Sequence, residues 1–469
     1  MTTWEVGPIK RGGGYVITNL DTEENLHLPP STDPKRNNPL WTLHGMNRSH
    51  AGTLPGLVEP GDTVFMRPGD YPHFRVSKHF FETELQDISR CINYEAKHPG
   101  TVRLRENPVG GSQTLYVEWS NVPIRFSGIV FEGDDQRALG TENPYSRRWH
   151  GDHPGFAELS FINCYMDGEW DFQRMTGEAS KWGCLTYGIE GGLTWFGGGG
   201  HGIKKEHFFY LHNSVGNVLM SGARFYGAGR TFLQDTARPH EGPAASGKII
   251  LHRVRAENTC LEMGGGGSSI TIKGNRTGLV HISQCDILQG ANPELLHPDV
   301  VDNITGCVVV EPNKYDEDGH KWTDDEPGAQ AHWTGTRKVV ITESKLRMGV
   351  GKGSARRPCA KFSYVEFGKL NRTRIMTDDG SAPALDIDTR DHVTKLWHFD
   401  SGPQMKVRGT CWLDGVKYHT WSAFLIAANN HPKCKVGDYG HREGDVDQDL
   451  NGDVADPAIA GVTPKVVED

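Results

Sequence analysis

The sequence lacks an excess of positive charge and lacks long apolar runs. Lys and Arg number 50 against 59 Asp and Glu, which leaves a formal net charge of −9, whereas a general nucleic-acid binder presents a basic surface. No window approaches the ~18 consecutive apolar residues of a membrane-spanning helix. These two absences predict neither a nucleic-acid partner nor membrane insertion.

The chain also has no recognisable leader and few cysteines. Its start carries no cationic stretch followed by an apolar one, so no Sec signal peptide is predicted, although a chain with its signal removed would look the same. Nine Cys is an odd count and far below the density of a disulfide scaffold. With 58 Gly in 469 residues, about 12% against a usual ~7%, helical bundles are excluded.

An internal repeat is present instead. Its template is apolar-x-x-small-x-apolar-x-Gly, and the two spacings of 59 residues between copies predict one skipped copy each within an underlying period of about 30. The copies begin at residues 126, 161, 220, 251, 282, 341 and 362.

Each copy is typical of a short strand and bend that present one face inward. A single unit cannot bury its apolar face, so the units must stack, with a closing Gly or Asn in a left-handed backbone conformation. The residues predicted to point inward share the small template position: Ile129, Cys164, Ala223, Val254 and Cys285, with Cys411 in an eighth copy.

The segment 60–71, which reads Pro-Gly-Asp-Thr-Val-Phe-Met-Arg-Pro-Gly-Asp-Tyr, resembles the first-coil signature of the right-handed parallel β-helix superfamily, and segments 99–105 and 122–133 fit the early coils that follow. That superfamily includes pectate, alginate and chondroitin lyases and many phage tailspikes. The resemblance implies an all-β fold, a right-handed parallel β-helix with long loop insertions, and by analogy with tailspikes a homotrimer.

Three regions follow from this interpretation. Residues 1–54 are an N-terminal arm or cap, residues 55–425 form the β-helix, and residues 426–469 are an acidic C-terminal segment. Two interruptions, 134–156 and 312–336, are predicted to protrude as loops, where solenoids usually meet their ligands.

The C-terminal segment carries part of a calcium-loop pattern. Asp447, Asp449 and Asn451 stand at ligand positions one, three and five, Gly follows at six with Asp453 beside it, and Ala stands at the twelfth position in place of a bidentate acid. The segment is either a calcium site or a solvated acidic tail. No other cofactor is predicted.

Acidic residues follow three successive copies of the repeat. We expect Asp235, Glu262 and Asp302 to face outward along one groove, with Arg230 or His297 orienting a glycan or assisting proton transfer. Stacked strands lie ~4.8 Å apart, so neighbouring coils suit the ~5–5.5 Å carboxylate separation of retaining glycosidases and alternate coils the ~6.5–9.5 Å of inverting ones. A one-residue slip would turn these side chains inward.

Three further residues are predicted to bind substrate. Trp195 and Phe196 beside a Gly-rich turn would form a sugar-stacking platform, and Asp299 would contact the glycan.

Three functions remain open at this point. The first is a tailspike-like, virion or extracellular homo-oligomer that binds a cell-surface polysaccharide and cleaves it by hydrolysis or β-elimination. The second is a non-catalytic structural or adhesive β-helix protein. The third is a secreted lyase without its leader, for which the expected Arg or Lys beside an acidic calcium cluster is not recognisable in the sequence.

Overall fold

The computed structural model describes residues 1–9, 13–30, 38–43, 48–49, 52–53, 57–76, 91–105, 114–117, 123–133, 137–141, 158–168, 182–187, 191–203, 206–242, 244–259, 268–289, 306–349, 358–378 and 382–438.

Three long sheets run along the molecule. The first consists of β1 (Thr3–Pro8), β2 (Tyr15–Asn19), β3 (Asn25–Leu28), β6 (Thr63–Met66), β9 (Ile92–Ala96), β12 (Ile124–Ser127), β15 (Leu159–Ile162), β18 (Leu193–Phe196), β21 (Val218–Ser221), β24 (Ile249–His252), β27 (Arg276–Ser283), β30 (Thr336–Thr342), β33 (Val365–Asn371), β36 (Leu396–Asp400) and β40 (Cys434–Gly437). The second consists of β7 (Gly69–Tyr71), β10 (Val102–Arg105), β13 (Ile129–Glu132), β16 (Tyr165–Asp167), β19 (Gly199–Ile203), β22 (Arg224–Ala228), β25 (Arg255–Glu257), β28 (Asp286–Gln289), β31 (Lys345–Met348), β34 (Arg374–Thr377) and β37 (Lys406–Arg408). The third consists of β8 (Phe74–Val76), β11 (Leu115–Val117), β14 (Arg137–Thr141), β17 (Trp182–Tyr187), β20 (Phe209–His212), β23 (Leu233–Thr236), β26 (Ile270–Lys273), β29 (Val308–Glu311), β32 (Ala360–Phe362), β35 (Pro383–Ile387), β38 (Thr410–Leu413) and β39 (Val416–Tyr418).

Other elements are short. Within the described residues they are the hairpin β4 (Arg48–Ser49) and β5 (Gly52–Thr53), the helices α1 (Pro39–Leu43), α2 (Ala329–His332) and α3 (Trp421–Asn429), and a 3-10 turn at Pro239–Glu241. In the described part of the chain, no helix has the length and apolarity needed to cross a bilayer.

The strands follow one another as a solenoid. Each coil places one strand in each sheet, and each strand pairs in parallel with its equivalent in the next coil. The described residues form eleven coils, from coil 1 (β6, β7, β8) to coil 11 (β36, β37, β38). The predicted right-handed parallel β-helix is confirmed.

Both ends of the first sheet are extended by further elements. At the N-terminus β1 pairs in parallel with β6, and β2 and β3 continue the sheet in antiparallel fashion. At the C-terminus β40 adds to β36, and α3 packs Phe424 against Phe399 of the last coil with ring centroids 5.1 Å apart. These segments cover apolar ends that a bare solenoid would expose.

The core is a ladder of equivalent side chains. Phe126 stacks on Phe161 with ring centroids 5.6 Å apart, and Phe161 stacks on Trp195 at 4.8 Å. The residues predicted to point inward are at most 2% exposed, which confirms the prediction: Ile129, Cys164, Ala223, Val254, Cys285 and Cys411.

The prediction of one skipped copy in each 59-residue spacing is confirmed for the first spacing and wrong for the second. A skipped copy does lie between residues 161 and 220, because Trp195 pairs with both Phe161 and Met220. No copy lies between residues 282 and 341, since Ile282 pairs directly with Ile341 and the extra length is connection between strands.

Two assigned copies belong to a different sheet. Ile341 pairs with Leu370, whereas Phe362, taken as the next copy, lies in β32 of the third sheet. Cys411 likewise lies in β38 of the third sheet. The apolar alternation is the same in all three sheets, so a short match to the template does not identify the sheet.

In coils 3 to 10 the corner between the first and second sheets is only one or two residues long. Its left-handed residue is the third position of the template, as at Asn163, Gly222, Arg253 and Gln284. The closing position predicted for this role is left-handed at Gly227 and Asn258. One left-handed residue there turns the chain from one sheet into the next.

Candidate functional site

The outer face of the second sheet carries two columns of side chains, most of which are polar. They occupy the fifth and seventh template positions, on either side of an inward apolar residue, so they point away from the core. The first column runs in register through Tyr165, Gly199, Arg224, Arg255, Asp286, Lys345, Arg374 and Lys406. The second runs through Asp167, His201, Tyr226, Glu257, Leu288 and Arg347.

Aromatic rings gather on coils 4 to 6 of this face. The His201 imidazole lies 5.6 Å from the Tyr165 ring and 5.4 Å from the Tyr226 ring, with which it is nearly parallel. Its Nε2 is 3.4 Å from Oδ1 of Asp167. Among the described residues its buried Nδ1 has no hydrogen-bond partner. A hydrogen bond to Asp167 requires the proton to be on Nε2.

The two tyrosines are coupled. Burial raises the pKa of Tyr165 above its ordinary value, and a hydrogen bond with Tyr226 acts in the same direction, while Arg224 opposes it. Tyr165 therefore stays protonated at neutral pH and can hold a proton for transfer.

Two guanidinium groups lie beside the rings on coils 6 and 7. One carboxylate, that of Glu257, binds both: Arg224 Nη2 lies 3.4 Å from its Oε2, and Arg255 Nη2 contacts its Oε1. The Arg224 and Arg255 side chains remain 49% and 45% exposed, against 15% for Glu257. Glu257 thus aligns two half-exposed cations side by side, an arrangement suited to an anion.

In coil 5 the positions next to His201 in strand β19 are glycines, which carry no side chain. A Cβ at Gly199 would lie 1.7 Å from the Arg224 carbonyl oxygen, and one at Gly200 would lie 2.9 Å from Cβ of Met166. His201 is thus flanked by positions without side chains. The Gly-rich stretch first interpreted as a turn is half corner and half strand β19.

We call Tyr165, Asp167, His201, Arg224, Tyr226, Arg255 and Glu257 the outer cluster. It combines groups that can bind a carboxylate with groups that can donate or accept a proton. In the part of the chain that the structure describes, three or more His, Cys, Asp or Glu residues never converge in a way that could hold a metal ion.

Comparison with known proteins reveals similarity of fold only. No family model and no curated protein matches the sequence. Solved structures that resemble the chain include an alginate lyase from a Paenibacillus strain (12% identity, 76% of this chain and 92% of that one, TM-score 0.26). A mannuronan C-5 epimerase A-module from Azotobacter vinelandii (10%, 76% and 90%, 0.33) and a mannuronic acid specific family 6 lyase from human gut microbiota (13%, 75% and 86%, 0.25) are others. At this level the reaction must be inferred from the residues themselves.

The predicted outward orientation of Asp235 is wrong. Its side chain is fully buried inside the coil, where Arg276 Nε donates to Oδ2 and Nη2 to Oδ1, each at 2.7 Å. Asp235 occupies the inward position between Gln234 and Thr236, which is the one-residue slip that reverses a side chain in a strand. It cannot act in an outer groove.

The sugar-stacking platform is also wrong. Trp195 is fully buried in the aromatic ladder, and its Nε1 donates to the Gly197 carbonyl oxygen at 3.0 Å. Phe196 points away from the core of the first sheet yet is only 7% exposed. Neither ring offers a free face to a sugar.

The other predicted residues are placed only in part. Arg230 is 44% exposed in the short connection between β22 and β23, 3.1 Å from Glu206. The remaining site residues lie outside the described residues and stay predictions: Glu262, His297, Asp299, Asp302, Asp447, Asp449, Asn451 and Asp453. By chain order Glu262 falls between β25 and β26, and His297 to Asp302 between β28 and β29.

The outer cluster was missed although its signal stood in the template. Its residues are the variable positions of the copies that begin at residues 161, 220 and 251. Superposing those copies on the one at Trp195 would have placed His201 beside Tyr226. Of the acids predicted above, Asp235 is the one that the structure describes, and it lies in β23 of the third sheet.

Proposed function

We propose that the protein binds a polysaccharide containing uronic acids across the outer face of the second sheet and cleaves it by β-elimination at the outer cluster. The observation that carries this proposal is the alignment of Arg224 and Arg255 beside the Tyr165, His201 and Tyr226 rings on adjacent coils. Elimination beside a carboxylate needs these two kinds of group together.

The arginines and the rings of the outer cluster have separate roles in this elimination. The arginine pair binds the uronate carboxylate and stabilises the charge that develops when the C5–H bond breaks. His201 and the two tyrosine hydroxyls are the groups that can carry the proton. The electron pair forms the C4–C5 double bond, the C4–O4 bond breaks, and the proton finally resides on O4.

Hydrolysis is less well supported by the described residues. A glycosidase needs one carboxyl that stays protonated and one free carboxylate. On this face Glu257 contacts two arginines, Glu132 contacts Arg103 and Arg105, and Asp167 lies 3.4 Å from His201. Among the described residues Asp286 makes no ion pair. These contacts occupy carboxylate oxygens, and Asp286 alone does not supply the required pair of carboxyls.

A panel of polysaccharides tests the proposal. The panel contains alginate, polygalacturonate, a sulfated glycan and uncharged dextran, and each reaction is followed by reducing ends and by the ultraviolet absorbance of the unsaturated product. We expect both signals with a uronic acid polymer only. Reducing ends without absorbance would mean hydrolysis and would direct attention to Glu262 and Asp302.

Variants of the outer cluster locate the chemistry. We expect Tyr226→Phe to lower kcat by about 10²–10⁴-fold, as is usual when a proton-transfer group is removed. Arg255→Ala should raise KM as well. Arg253→Ala is a matched control, because that side chain lies at the corner, where its Nε donates to Gln284 at 2.9 Å. Equal losses in the Arg253 and Arg255 variants would contradict the assignment.

The tailspike-like role, a virion or extracellular location, trimeric assembly and calcium binding remain separate proposals. Light scattering at micromolar concentration tests assembly, since a monomeric mass would exclude the trimer. Calcium titration of the full chain, read by its melting temperature, tests the segment around Asp447.

A further inference from the structure

A second basic surface lies on the same face and begins two coils beyond the outer cluster. The first column continues through Lys345, Arg374 and Lys406 on coils 9, 10 and 11, in direct register. Equivalent positions on stacked strands lie ~4.8 Å apart. Three cations therefore stand in a row, although the whole chain has a net charge of −9.

These three cations make no close ion pair with the described part of the protein, although Asp286 precedes Lys345 in the same column. Within the described coils, none of the three makes an ion pair or a side-chain hydrogen bond. Like charges directly opposite one another on neighbouring strands are unfavourable. An uncompensated row of this kind is explained by a ligand that supplies the opposite charge.

A groove lies along this row of cations. Its volume is about 540 Å³, and Asp286 lies at one end of it beside Lys345. Glu343, Arg372 and Gln404 form its other wall with Gln284. That wall is a chain of contacts along the corner: Gln284 Nε2 donates to Glu343 at 2.9 Å, Arg372 pairs with Glu343, and Arg372 Nε donates to Gln404 at 3.0 Å. One wall is thus closed by its own hydrogen bonds, and the other presents unpaired charge.

We infer that this groove, lined by Lys345, Arg374 and Lys406, is a distal binding site for a linear anionic polysaccharide. The inference rests on the proposed function for the identity of the polymer, and it assigns a site that takes no part in bond cleavage. A chain of uronate rings carries one carboxylate per ring, which matches one cation per coil. From Arg224 to Lys406 the column spans five coil spacings, about 24 Å.

Binding of the polymer is therefore expected to depend on length and salt. A polymer that reaches both the outer cluster and the groove gains effective concentration at the second site, whereas a trisaccharide fills only one. Each lost contact to a single-stranded nucleic acid lowers the dependence of log K on log salt by about 0.7, and a polyuronate, whose charges are more widely spaced, gives a smaller change per contact.

The test is the triple variant Lys345→Gln, Arg374→Gln and Lys406→Gln. Its matched control, Arg337→Gln, Lys417→Gln and Lys435→Gln, removes the same charges from exposed positions elsewhere. Affinity for polygalacturonate and alginate is measured at several salt concentrations. We expect the triple variant to bind about tenfold more weakly, with a salt slope reduced by about 1–2, and the control to match the wild type.

Several results would overturn the inference. The first is a triple variant that binds the polyuronates with the affinity of the wild type, and the second is an equal loss of affinity in the control. The third is tighter binding of dextran sulfate or of an oligonucleotide than of the polyuronates. If the wild type binds polyuronate through the groove but cleaves nothing, the proposed function fails and the groove stands. If the triple variant cleaves long polymer with the KM of the wild type, the groove is not a distal binding site, whereas the proposed function is supported.

Discussion

The role of Asp235 depends on the direction of its side chain, which points inward to Arg276. Both side chains are fully buried and joined by two hydrogen bonds of 2.7 Å. Arg276 also donates to the Gly247 carbonyl oxygen, so the pair ties the third sheet to the chain entering the first sheet. As a catalytic acid, Asp235 would tolerate replacement without loss of stability; as half of a buried ion pair it would not.

We expect Asp235→Asn to lower the free energy of unfolding by about 3–5 kcal/mol, because it leaves the Arg276 charge buried without its partner. Urea unfolding measures the change. The double variant Asp235→Leu with Arg276→Met should recover most of the loss, since apolar side chains of similar size need no partner. An Asp235→Asn protein as stable as the wild type would refute the structural role.

Element by element, β19 is the strand whose composition the site depends on most. Its neighbours β16 and β22 carry the tyrosines, while β19 itself places His201 among glycines. Gly199 has a φ of 153°, and its missing side chain leaves room for the Arg224 backbone. The glycines therefore decide both how closely the coils approach and what lies between the two tyrosine rings.

Gly199→Ala is expected to destabilise the protein more than Gly100→Ala does. Gly100 also has a positive φ of 79°, but a Cβ there meets nothing within 4 Å, so its cost is the backbone term of about 1–2 kcal/mol alone. At Gly199 the added Cβ would also overlap the Arg224 carbonyl oxygen. Unfolding midpoints in urea compare the two variants, and equal midpoints would show that β19 tolerates a side chain.

For the molecule as a whole, buried histidines link stability to pH. Burial lowers the pKa of His207 to about 3 and those of His212 and His281 to about 4. The pKa of histidine in the unfolded chain is ~6.5. Between the two pKa values the unfolded chain therefore binds protons that the folded chain does not bind. The stability associated with these residues is complete above about pH 6.5 and is lost progressively as the pH falls toward 4.

We therefore expect the free energy of unfolding to decrease between pH 6.5 and 4. His281→Gln should make that decrease shallower, because one proton fewer is taken up on unfolding. Urea titrations at a series of pH values provide the measurement. A wild type and a His281→Gln variant with identical pH profiles would show that His281 is not kept neutral by burial.

Much of the fold followed from the order of residues alone. The alternation of apolar positions around Ile129, Cys164 and Val254 allows one buried face per strand, and such strands can bury it only by stacking. The inward direction of these residues was predicted correctly for that reason. The period failed where connections lengthen, as between Ile282 and Ile341, because a solenoid constrains its strands and not the chain between them.

The residues of the outer cluster were not identified from the sequence. The sequence determined that polar residues alternate with buried ones, and so that some acids and arginines would line an outer face. Which residues meet depends on the register between coils, since His201 and Tyr226 are 25 residues apart in the chain and neighbours only in space. A shift of one residue reverses a side chain, as Asp235 shows, and only the tertiary structure sets that register, because it is the packing of all eleven described coils that selects it.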